Sequence, residues 1–429
     1  MKRILNRQYF IGAIILLTVV GLTFLYGSPR SPLRRIANEI AYRLPFRVPG
    51  LAACPDCNII LVSLDTLRAD ELPCYGYSRD TAPLLCAFAK NNILFSRFYS
   101  QSSLTLDSHM SIFTGLYPST HHVLNIIIDK LNPKIPTLTQ VLQENDYRTM
   151  WAGITDDAEL PLNKGFERGF SEIHTLFPQG PVWQGGYEKI LPKLLDGKPT
   201  FLFLHTYAVH APYLAGHGPR RYMNLPGSTI PLTWDEFWAN NASFYAFVLS
   251  EFRVRLALSD TPESKNRNQT VINNLTRALS RGDLSAAQQV FWLFPNYEQY
   301  LFRILWYWKL ANLQNPRTVP FVQSLYDERV NQLDDTLKPL LDFVSRPDVK
   351  RKTIVIFTSD HGEEFMEHGF LEHDWNLYKT STHVPFIAAV PHMRPGVRDG
   401  LAQSIDIYPT LLQLVGIKPM GPLEGQSLV

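Results

Sequence analysis

The chain is predicted to be an α/β protein whose mainly parallel central sheet is covered by helices on both faces. Three short apolar runs predict buried strands, at residues 58–64 (NIILVSL), 200–204 (TFLFL) and 353–357 (TIVIF). Stretches with the apolar period of helices lie between them, as in residues 137–145 and 326–344. Apolar strands that alternate with amphipathic helices are typical of a parallel sheet buried on both sides.

Length and charge bound the functions that the chain can have. With 429 residues it can bury one large α/β core or two modest domains, so size does not limit catalysis. The formal net charge is +2 and no long run of one sign occurs, which argues against nucleic acid as the main partner. A small or membrane-borne substrate is expected instead.

Residues 1–27 are predicted to be a short cytoplasmic tip followed by a membrane anchor. Residues 9–26 carry no charge and approach the roughly 20 residues that span a bilayer. A cleaved signal peptide and a core helix are the alternatives, but no clear small-x-small cleavage site follows and the segment is long for a signal. We expect a single-pass protein of the cell membrane with an extracytoplasmic catalytic domain. Because basic residues flank both sides, the positive-inside rule alone does not fix this orientation.

Two further regions stand out from the alternating pattern. Residues 28–57 are rich in proline and arginine and are predicted to be a juxtamembrane linker, followed by one catalytic domain over residues 58–429.

Within that domain, residues 216–322 have a helical period and many aromatic residues. This helical insertion could pack on the core, or it could form a substrate-gating cap or a membrane-facing lid. Glycosylation sequons occur at Asn241, Asn268 and Asn274.

All cysteines fall within a short window at the start of the predicted domain. The four are Cys54, Cys57, Cys74 and Cys86. An even count in an exported chain favours disulfides, with free buried thiols as the alternative. A single C-x-x-C pair is only a weak signal for zinc.

Carboxylates follow two of the predicted strands. Asp65 comes directly after the first strand, and Asp360 and His361 follow the strand at 353–357. The simpler interpretation is that Asp360 begins a turn or caps a helix. Parallel sheets, however, bind ligands outside the carboxyl ends of their strands. Two acidic strand ends with an imidazole therefore predict a metal site with oxygen and nitrogen ligands.

A hydroxyl residue, Thr105, lies between these strand ends in the chain, at the predicted start of a helix. Its simplest role would be an N-cap. The same position directs backbone N–H groups and the positive end of the helix dipole at a bound oxyanion such as phosphate or sulfate. A metal held by Asp65, Asp360 and His361 could lower the pKa of the hydroxyl and polarise an ester. Thr105 is therefore the candidate nucleophile.

Five segments in order resemble the sulfatase family of the alkaline-phosphatase superfamily. They are SLDTLRADELPCYGYSRDTAPLL, TLDSHMSIFTGLYPSTHHV, HTYAVHAPY, TSDHGEEFMEHGFLEH and DIYPTLLQLVGI. The resemblance covers most of residues 58–429 apart from the aromatic insertion. It implies an alkaline phosphatase-like three-layer sandwich, which agrees with the strand and helix pattern. It also implies a sulfatase-like hydrolase of sulfuric or phosphoric esters.

The resemblance assigns roles residue by residue. Metal ligands would be Asp65, Asp360 and His361. Thr105 occupies the nucleophile position, and His210 matches a histidine that contacts the transferred group or its leaving oxygen. His373 matches a second histidine, found in relatives with a threonine nucleophile, that binds a second metal or protonates the leaving group. A lone histidine is more often structural, and His368 is less favoured as a functional residue than His210 or His373.

The chain departs from the family at the nucleophile and at the metal. Sulfatases carry a C/S-x-P-S-R motif whose first residue becomes formylglycine, whereas residues 105–109 are TLDSH, so no formylglycine is expected. Thr66 follows Asp65 where the family has paired aspartates, and His361 replaces the usual asparagine. Because the site loses carboxylate and gains imidazole, zinc or manganese is favoured over calcium.

The threonine restricts the mechanism. A formylglycine hydrate can eject sulfate by collapsing to the aldehyde, but a threonine ester must be attacked at its central atom. In-line displacement does this readily at phosphorus. Thr105 therefore predicts a covalent phosphothreonine-type intermediate and phosphate mono- or diesters as substrates, although the family is named for sulfate esters. The substrate could be a glycan or a lipid head group, with membrane lipid as a further partner.

Two other functions compete with hydrolysis. One is a transferase that moves phosphoethanolamine or phosphoglycerol from lipid to an envelope glycan. The other, more remote, is an inactive binding protein that keeps the fold and a structural metal.

Overall fold

The computed structural model describes most of the chain beyond the predicted anchor. The described residues are 54–124, 128–153, 160–176, 186–213, 221–222, 241–294, 296–310, 313, 315–373 and 376–429. The predicted anchor at 1–27 and nearly all of the linker at 28–57 lie outside them. Within the described ranges, no helix is both long and apolar enough to cross a membrane.

The strands build one large sheet and two small ones. In chain order they are β1 (Asn58–Leu64), β2 (Ile93–Phe95), β3 (Phe98–Tyr99), β4 (Arg148–Gly153), β5 (Glu172–Thr175), β6 (Thr200–Thr206), β7 (Thr353–Thr358), β8 (Glu364–Phe365), β9 (Leu371–Glu372), β10 (Phe386–Ala389), β11 (Gly396–Arg398) and β12 (Ala402–Gln403). The large sheet has eight strands in the order β11-β2-β10-β7-β1-β6-β4-β5. The pairs β3–β12 and β8–β9 form the small sheets.

Helices fill most of the remaining described chain. They are α1 (Pro83–Lys90), α2 (Thr105–Thr114), α3 (Pro118–His121), α4 (Leu138–Glu144), α5 (Asn241–Ala257), α6 (Pro262–Ser280), α7 (Leu284–Trp292), α8 (Asn296–Leu310), α9 (Thr318–Ser345), α10 (Pro347–Lys350), α11 (Lys379–Thr382) and α12 (Ile407–Val415). The helix predicted at 326–344 is thus part of α9, which begins earlier. A turn in which Asn315 Oδ1 accepts the N–H of Arg317 leads into it.

The sheet is mainly parallel, as predicted. Strands β7, β1, β6, β4 and β5 run in one direction, and β10 runs antiparallel to both β7 and β2. Ser63 of β1 lies opposite Thr358 of β7 and His205 of β6. The carboxyl ends of these three central strands therefore meet at one place on the sheet edge.

Alternate side chains of β1 enter two separate cores. Ile59 and Leu61 pack with residues of α2, α4 and α12, while Ile60, Val62 and Leu64 pack with residues of α1 and α9. Both faces of the sheet are therefore covered by helices, which makes the fold a three-layer sandwich.

Most of the aromatic side chains of α5 to α8 that the structure describes point inward. Phe244, Phe291, Phe302 and Tyr307 are fully buried and belong to the same core as α9 and one face of the sheet. Packing on the core thus accounts for most of this aromatic composition. Trp292 is the main exception, with an exposed fraction of 51%.

All four cysteines are paired in the structure. Cys54 bonds Cys57, and Cys74 bonds Cys86, which agrees with the expectation of disulfides. The first pair lies just before β1, and the second joins the segment after β1 to α1.

Candidate active site

The candidate site lies where β7, β1 and β6 end. Asp65 follows β1 directly, and its backbone N–H donates to the carbonyl oxygen of Thr206 at the end of β6 (3.1 Å). Asp360 follows β7, and its Oδ1 accepts the backbone N–H of Thr66 (3.4 Å). The sheet register thus brings together two carboxylates that are almost three hundred residues apart in sequence.

Asp65, Asp360 and His361 form a buried group whose ligand atoms all lie within 4.8 Å of one another. The Nδ1 of His361 donates to the carbonyl oxygen of Gly362 (3.0 Å), so its Nε2 carries the lone pair. That Nε2 lies 3.4 Å from Asp360 Oδ2 and 4.0 Å from Asp65 Oδ1. Asp360 Oδ2 is buried and accepts no hydrogen bond from the residues that the structure describes. A lone pair and carboxylate oxygens that face each other in a buried space fit a divalent cation.

The electrostatics of the group also suit a cation. Burial by itself raises the pKa of the Asp360 carboxyl, but the neighbouring imidazoles of His361, His109 and His205 bring it below its ordinary value. Burial lowers the pKa of His361, against the opposing effect of Asp360. An ionised carboxylate and a neutral imidazole are the protonation states that metal ligands need.

Thr105 is the first residue of α2 and points into this group. Its Oγ1 lies 3.2 Å from His361 Nε2 and 3.5 Å from Asp65 Oδ2. Leu104, not Thr105, occupies the N-cap position. The hydroxyl is therefore not explained as a helix cap, and it lies at the positive end of the helix dipole.

Two buried histidines that the sequence interpretation missed support the site. His109 lies one helical turn after Thr105, with Nδ1 2.7 Å from the Thr105 carbonyl oxygen and Nε2 2.9 Å from Ser63 Oγ. His205 on β6 places Nε2 3.0 Å from Asp65 Oδ2. Burial lowers the pKa of both imidazoles.

His109, His205 and Asp360 also lie close enough to hold a cation. Both ring nitrogens of His109 are already engaged in hydrogen bonds, so we interpret this second group as a support for Asp65 and Thr105. Two features of the sequence could have pointed to His109 and His205. His109 stands where the family motif has arginine, and His205 begins the HTYAVHAPY segment.

His210 and His373, which are far apart in sequence, lie side by side at the same site. Their ring centroids are 4.9 Å apart, and that of His373 is 4.4 Å from that of His361. The Nδ1 of His210 donates to the carbonyl oxygen of Ala211 (2.8 Å). His373 donates from Nδ1 to Glu363 (3.0 Å), a partner that the sequence interpretation did not single out.

His368 lies apart from this group. Its ring stacks on Tyr378 at a centroid distance of 3.7 Å, and its Nδ1 contacts Glu364 (3.0 Å). One third of its side chain is exposed. A structural role accounts for it.

The fold and the site together define an α/β protein with a buried acid and imidazole group at the carboxyl ends of its central strands. A sequence model described as Sulfatase matches residues 57–417. The chain therefore belongs to the sulfatase family, as the five sequence segments indicated.

Sulfatases are among the relatives of this chain. Human arylsulfatase K is 35% identical over 113 residues, which cover 25% of this chain and 20% of that protein. The match thus spans about a fifth of the length of arylsulfatase K. Human arylsulfatase A is 25% identical over 432 residues, which cover 94% of this chain and 70% of that protein.

Solved structures share the fold. The phosphonate monoester hydrolase of Agrobacterium radiobacter has a TM-score of 0.56 and 17% identity, over 87% of this chain and 76% of that one. The soluble domain of lipooligosaccharide phosphoethanolamine transferase A from Neisseria meningitidis has a TM-score of 0.50 and 16% identity, over 84% of this chain and 88% of that one.

Proposed function

We propose that this protein is a metal-dependent hydrolase that cleaves sulfate or phosphate esters with Thr105 as its nucleophile. One observation carries the proposal. The Thr105 hydroxyl lies at the start of a helix, within 3.5 Å of both Asp65 and His361. Membership of the sulfatase family supports ester hydrolysis as the reaction class.

The proposed reaction has two displacements. The Thr105 oxygen, ionised before the reaction, first attacks the sulfur or phosphorus atom, and the bond to the leaving oxygen breaks with its electron pair on that oxygen. His373 or His210 supplies the proton that the leaving oxygen takes up. Water then gives a proton to the same histidine and attacks the central atom. The bond to the Thr105 oxygen breaks with its electron pair on that oxygen, which releases the sulfate or phosphate product and returns both residues to their starting states.

A divalent cation would be held by Asp65, Asp360 and His361. When bound, it would lower the pKa of the Thr105 hydroxyl and neutralise charge on the ester. We propose zinc or manganese rather than calcium, because imidazole is among the ligands. The N-terminal N–H groups of α2 would bind the remaining ester oxygens.

The threonine favours phosphate esters over sulfate esters. It offers no aldehyde to which a sulfated intermediate could collapse, so release depends on displacement at the central atom. The test is to assay purified protein with an aryl sulfate, an aryl phosphate and an aryl phosphodiester, each with zinc, manganese or calcium. We expect phosphate ester cleavage that Thr105→Ala abolishes.

A matched control lies at the other end of the same helix. Thr114 is the last residue of α2 and donates to the Met110 carbonyl oxygen (2.6 Å), away from the site. Thr114→Ala should retain most of the activity. Dominant sulfatase activity that survives Thr105→Ala would contradict the proposal.

A second candidate function is transfer of a phosphoethanolamine-type or phosphoglycerol-type head group to an envelope glycan. A threonine ester can be attacked by an acceptor other than water, and a phosphoethanolamine transferase shares the fold. Incubation with phospholipid labelled in its head group separates the two candidates. A hydrolase releases the free head group, whereas a transferase passes it to the acceptor.

We also propose that residues 1–27 anchor the protein in the cell membrane, with the catalytic domain outside the cytoplasm. The uncharged run at residues 9–26 supports this. Alkaline carbonate should leave the full chain in the membrane fraction, and protease added outside the cytoplasm should digest its C-terminal part. Extraction by carbonate would contradict the anchor.

A further inference from the structure

The Glu363 side chain is a buried carboxylate with two hydrogen-bond partners beside the site. Its Oε1 accepts from His373 Nδ1 (3.0 Å), and its Oε2 accepts from the Tyr213 hydroxyl (2.6 Å). The carboxylate is fully buried, and so is the side chain of Tyr213. A carboxylate that accepts from one imidazole nitrogen fixes the tautomer and the orientation of that ring.

From this geometry we propose that Glu363 is a positioning residue that holds His373 in place to protonate the leaving group. The inference rests on the proposed ester hydrolysis and adds a residue to it. With Nδ1 engaged by Glu363, Nε2 is the nitrogen on the opposite edge of the ring. The ring itself lies beside both His361 and His210.

The backbone around Glu363 is fixed on several sides. The N–H of Gly362 donates to the Ser381 carbonyl oxygen (2.7 Å), and the N–H of Glu363 donates to that of Thr380 (3.2 Å). The carbonyl oxygen of Glu363 accepts from Arg68 Nη1 (3.0 Å). Because α11 and the segment after β1 hold this backbone, the carboxylate has little freedom to move away from His373.

A second contact restrains the residue that precedes His373. The indole N–H of Trp308, on α8, donates to the carboxylate of Glu372. The Tyr213 ring also packs edge-on against Trp308, with centroids 6.4 Å apart. Helix α8 therefore restrains His373 through its neighbour Glu372. Through Tyr213, the same helix also contacts the far end of the hydrogen-bond chain that runs from Tyr213 through Glu363 to His373.

The proton transfer balances without any further reactant. As the bond between the central atom and the leaving oxygen breaks, its electron pair stays on that oxygen. The proton on His373 Nε2 moves to the same oxygen. Glu363 keeps its negative charge throughout and stabilises the cationic imidazole before the transfer, as in other carboxylate and histidine pairs.

The test compares two esters that differ only in the leaving group. Methyl 4-nitrophenyl phosphate releases a stable phenolate that needs little protonation, whereas methyl phenyl phosphate releases a more basic one. Glu363→Gln should lower kcat with the phenyl ester by about 100-fold, which is the lower end of the rate gain from general acid catalysis. The loss of kcat with the nitrophenyl ester should be far smaller. In a His373→Ala background the same substitution should have no further effect.

Glu364→Gln is the matched control. Glu364 is the adjacent, equally buried glutamate, but its partners are the side chains of His368, Thr380 and Ser381, outside the site. Glu364→Gln should change kcat with the two esters by the same factor. Tyr213→Phe removes only the hydroxyl that donates to Glu363. It should also lower kcat more with the phenyl ester than with the nitrophenyl ester, but by a smaller factor than Glu363→Gln. This variant remains informative if Glu363→Gln does not fold.

The possible failures are distinguishable. An equal loss with both esters in Glu363→Gln and Tyr213→Phe would overturn the positioning role while hydrolysis by the unaltered chain stands. Loss of bound metal from folded Glu363→Gln would also overturn it, because the pair would then belong to the metal site. Absence of turnover by the unaltered chain with either ester would overturn the proposed function and this inference together.

Discussion

His361 is the residue on which the proposed metal preference of the candidate site rests. Its Nδ1 is held by the Gly362 carbonyl oxygen, and its Nε2 lies between Thr105 and Asp360. An asparagine at this position would offer a harder, oxygen ligand. The imidazole therefore favours a borderline metal such as zinc over calcium.

Replacement of His361 by asparagine tests this preference. Loss of a residue that only hydrogen-bonds to a metal ligand lowers metal affinity by up to about 100-fold, and loss of a ligand should cost at least as much. We therefore expect His361→Asn to weaken zinc binding by at least about 100-fold, with a smaller effect on calcium binding. Competition between the two metals, followed by elemental analysis of the protein, measures it. Unchanged zinc content would show that His361 is not a ligand.

Gly362 is required by close packing rather than by an unusual backbone angle. A Cβ at this position would lie 2.0 Å from the carbonyl oxygen of Thr380. Gly362→Ala should therefore displace the backbone that holds His361 and cost about 1–3 kcal/mol in the free energy of unfolding. Urea denaturation measures this cost.

Gly400 provides the comparison for that substitution. It has nothing within 4 Å of an added Cβ, so Gly400→Ala should change stability by much less. Equal effects of the two substitutions would contradict the packing argument.

At the scale of elements, α9 fastens the segment after β1 to the sheet. The Tyr326 hydroxyl donates to the Thr66 carbonyl oxygen (2.8 Å) and accepts from the N–H of Arg68 (3.0 Å). Thr66 adopts a left-handed φ of 58°, which is strained for a β-branched residue. The contacts with Tyr326 offset this strain and fix the turn that begins at Asp65.

Asp334 of α9 also caps a helix from a distance. Its two oxygens accept the N–H groups of Leu84 and Leu85, both at 2.8 Å, and Ala82 at the N-cap of α1 has no capping side chain. Asp334→Ala should lower the free energy of unfolding by about 1–2 kcal/mol, the usual value of a lost cap. The exposed neighbour Asp335 is the control, and Asp335→Ala should have little effect in the same thermal or urea titration.

At the scale of the whole molecule, a buried acid makes stability depend on pH. Burial, aided by the charge of Asp327 and opposed by Arg68, raises the pKa of Glu71 from 4.5 to about 7. Between these values the folded protein keeps a proton that the unfolded chain has lost. The contribution of Glu71 to the free energy of unfolding should therefore fall as pH rises from about 4.5 to about 7 and then level off.

Glu71→Gln isolates this contribution. Above pH 7 the variant should be more stable than the unaltered chain by on the order of 2 kcal/mol, and the difference should shrink toward pH 5. Urea titrations at several pH values measure it, with the exposed Glu144→Gln as control. A difference that does not change with pH would contradict the assigned role.

The local pattern was enough to place much of the fold and several candidate residues. The apolar runs predicted β1, β6 and β7, and the parallel sheet followed from their alternation with helices. Because parallel strands end at one edge, the sequence alone predicts that Asp65 and Asp360 lie near each other. The start of α9 was missed because the preceding aromatic segment is helical in period as well.

The sequence by itself determined the family, the mainly parallel sheet and the identity of Thr105 as a hydroxyl between two acidic strand ends. These depend on residue types and spacing, which are local properties. Only the tertiary structure decided that His109, His205 and Glu363 surround those residues. Apart from the contact of His109 with Thr105 one helical turn away, their partners in the site lie ten or more positions away in the chain. Such contacts depend on strand register and helix packing, which sequence spacing does not contain.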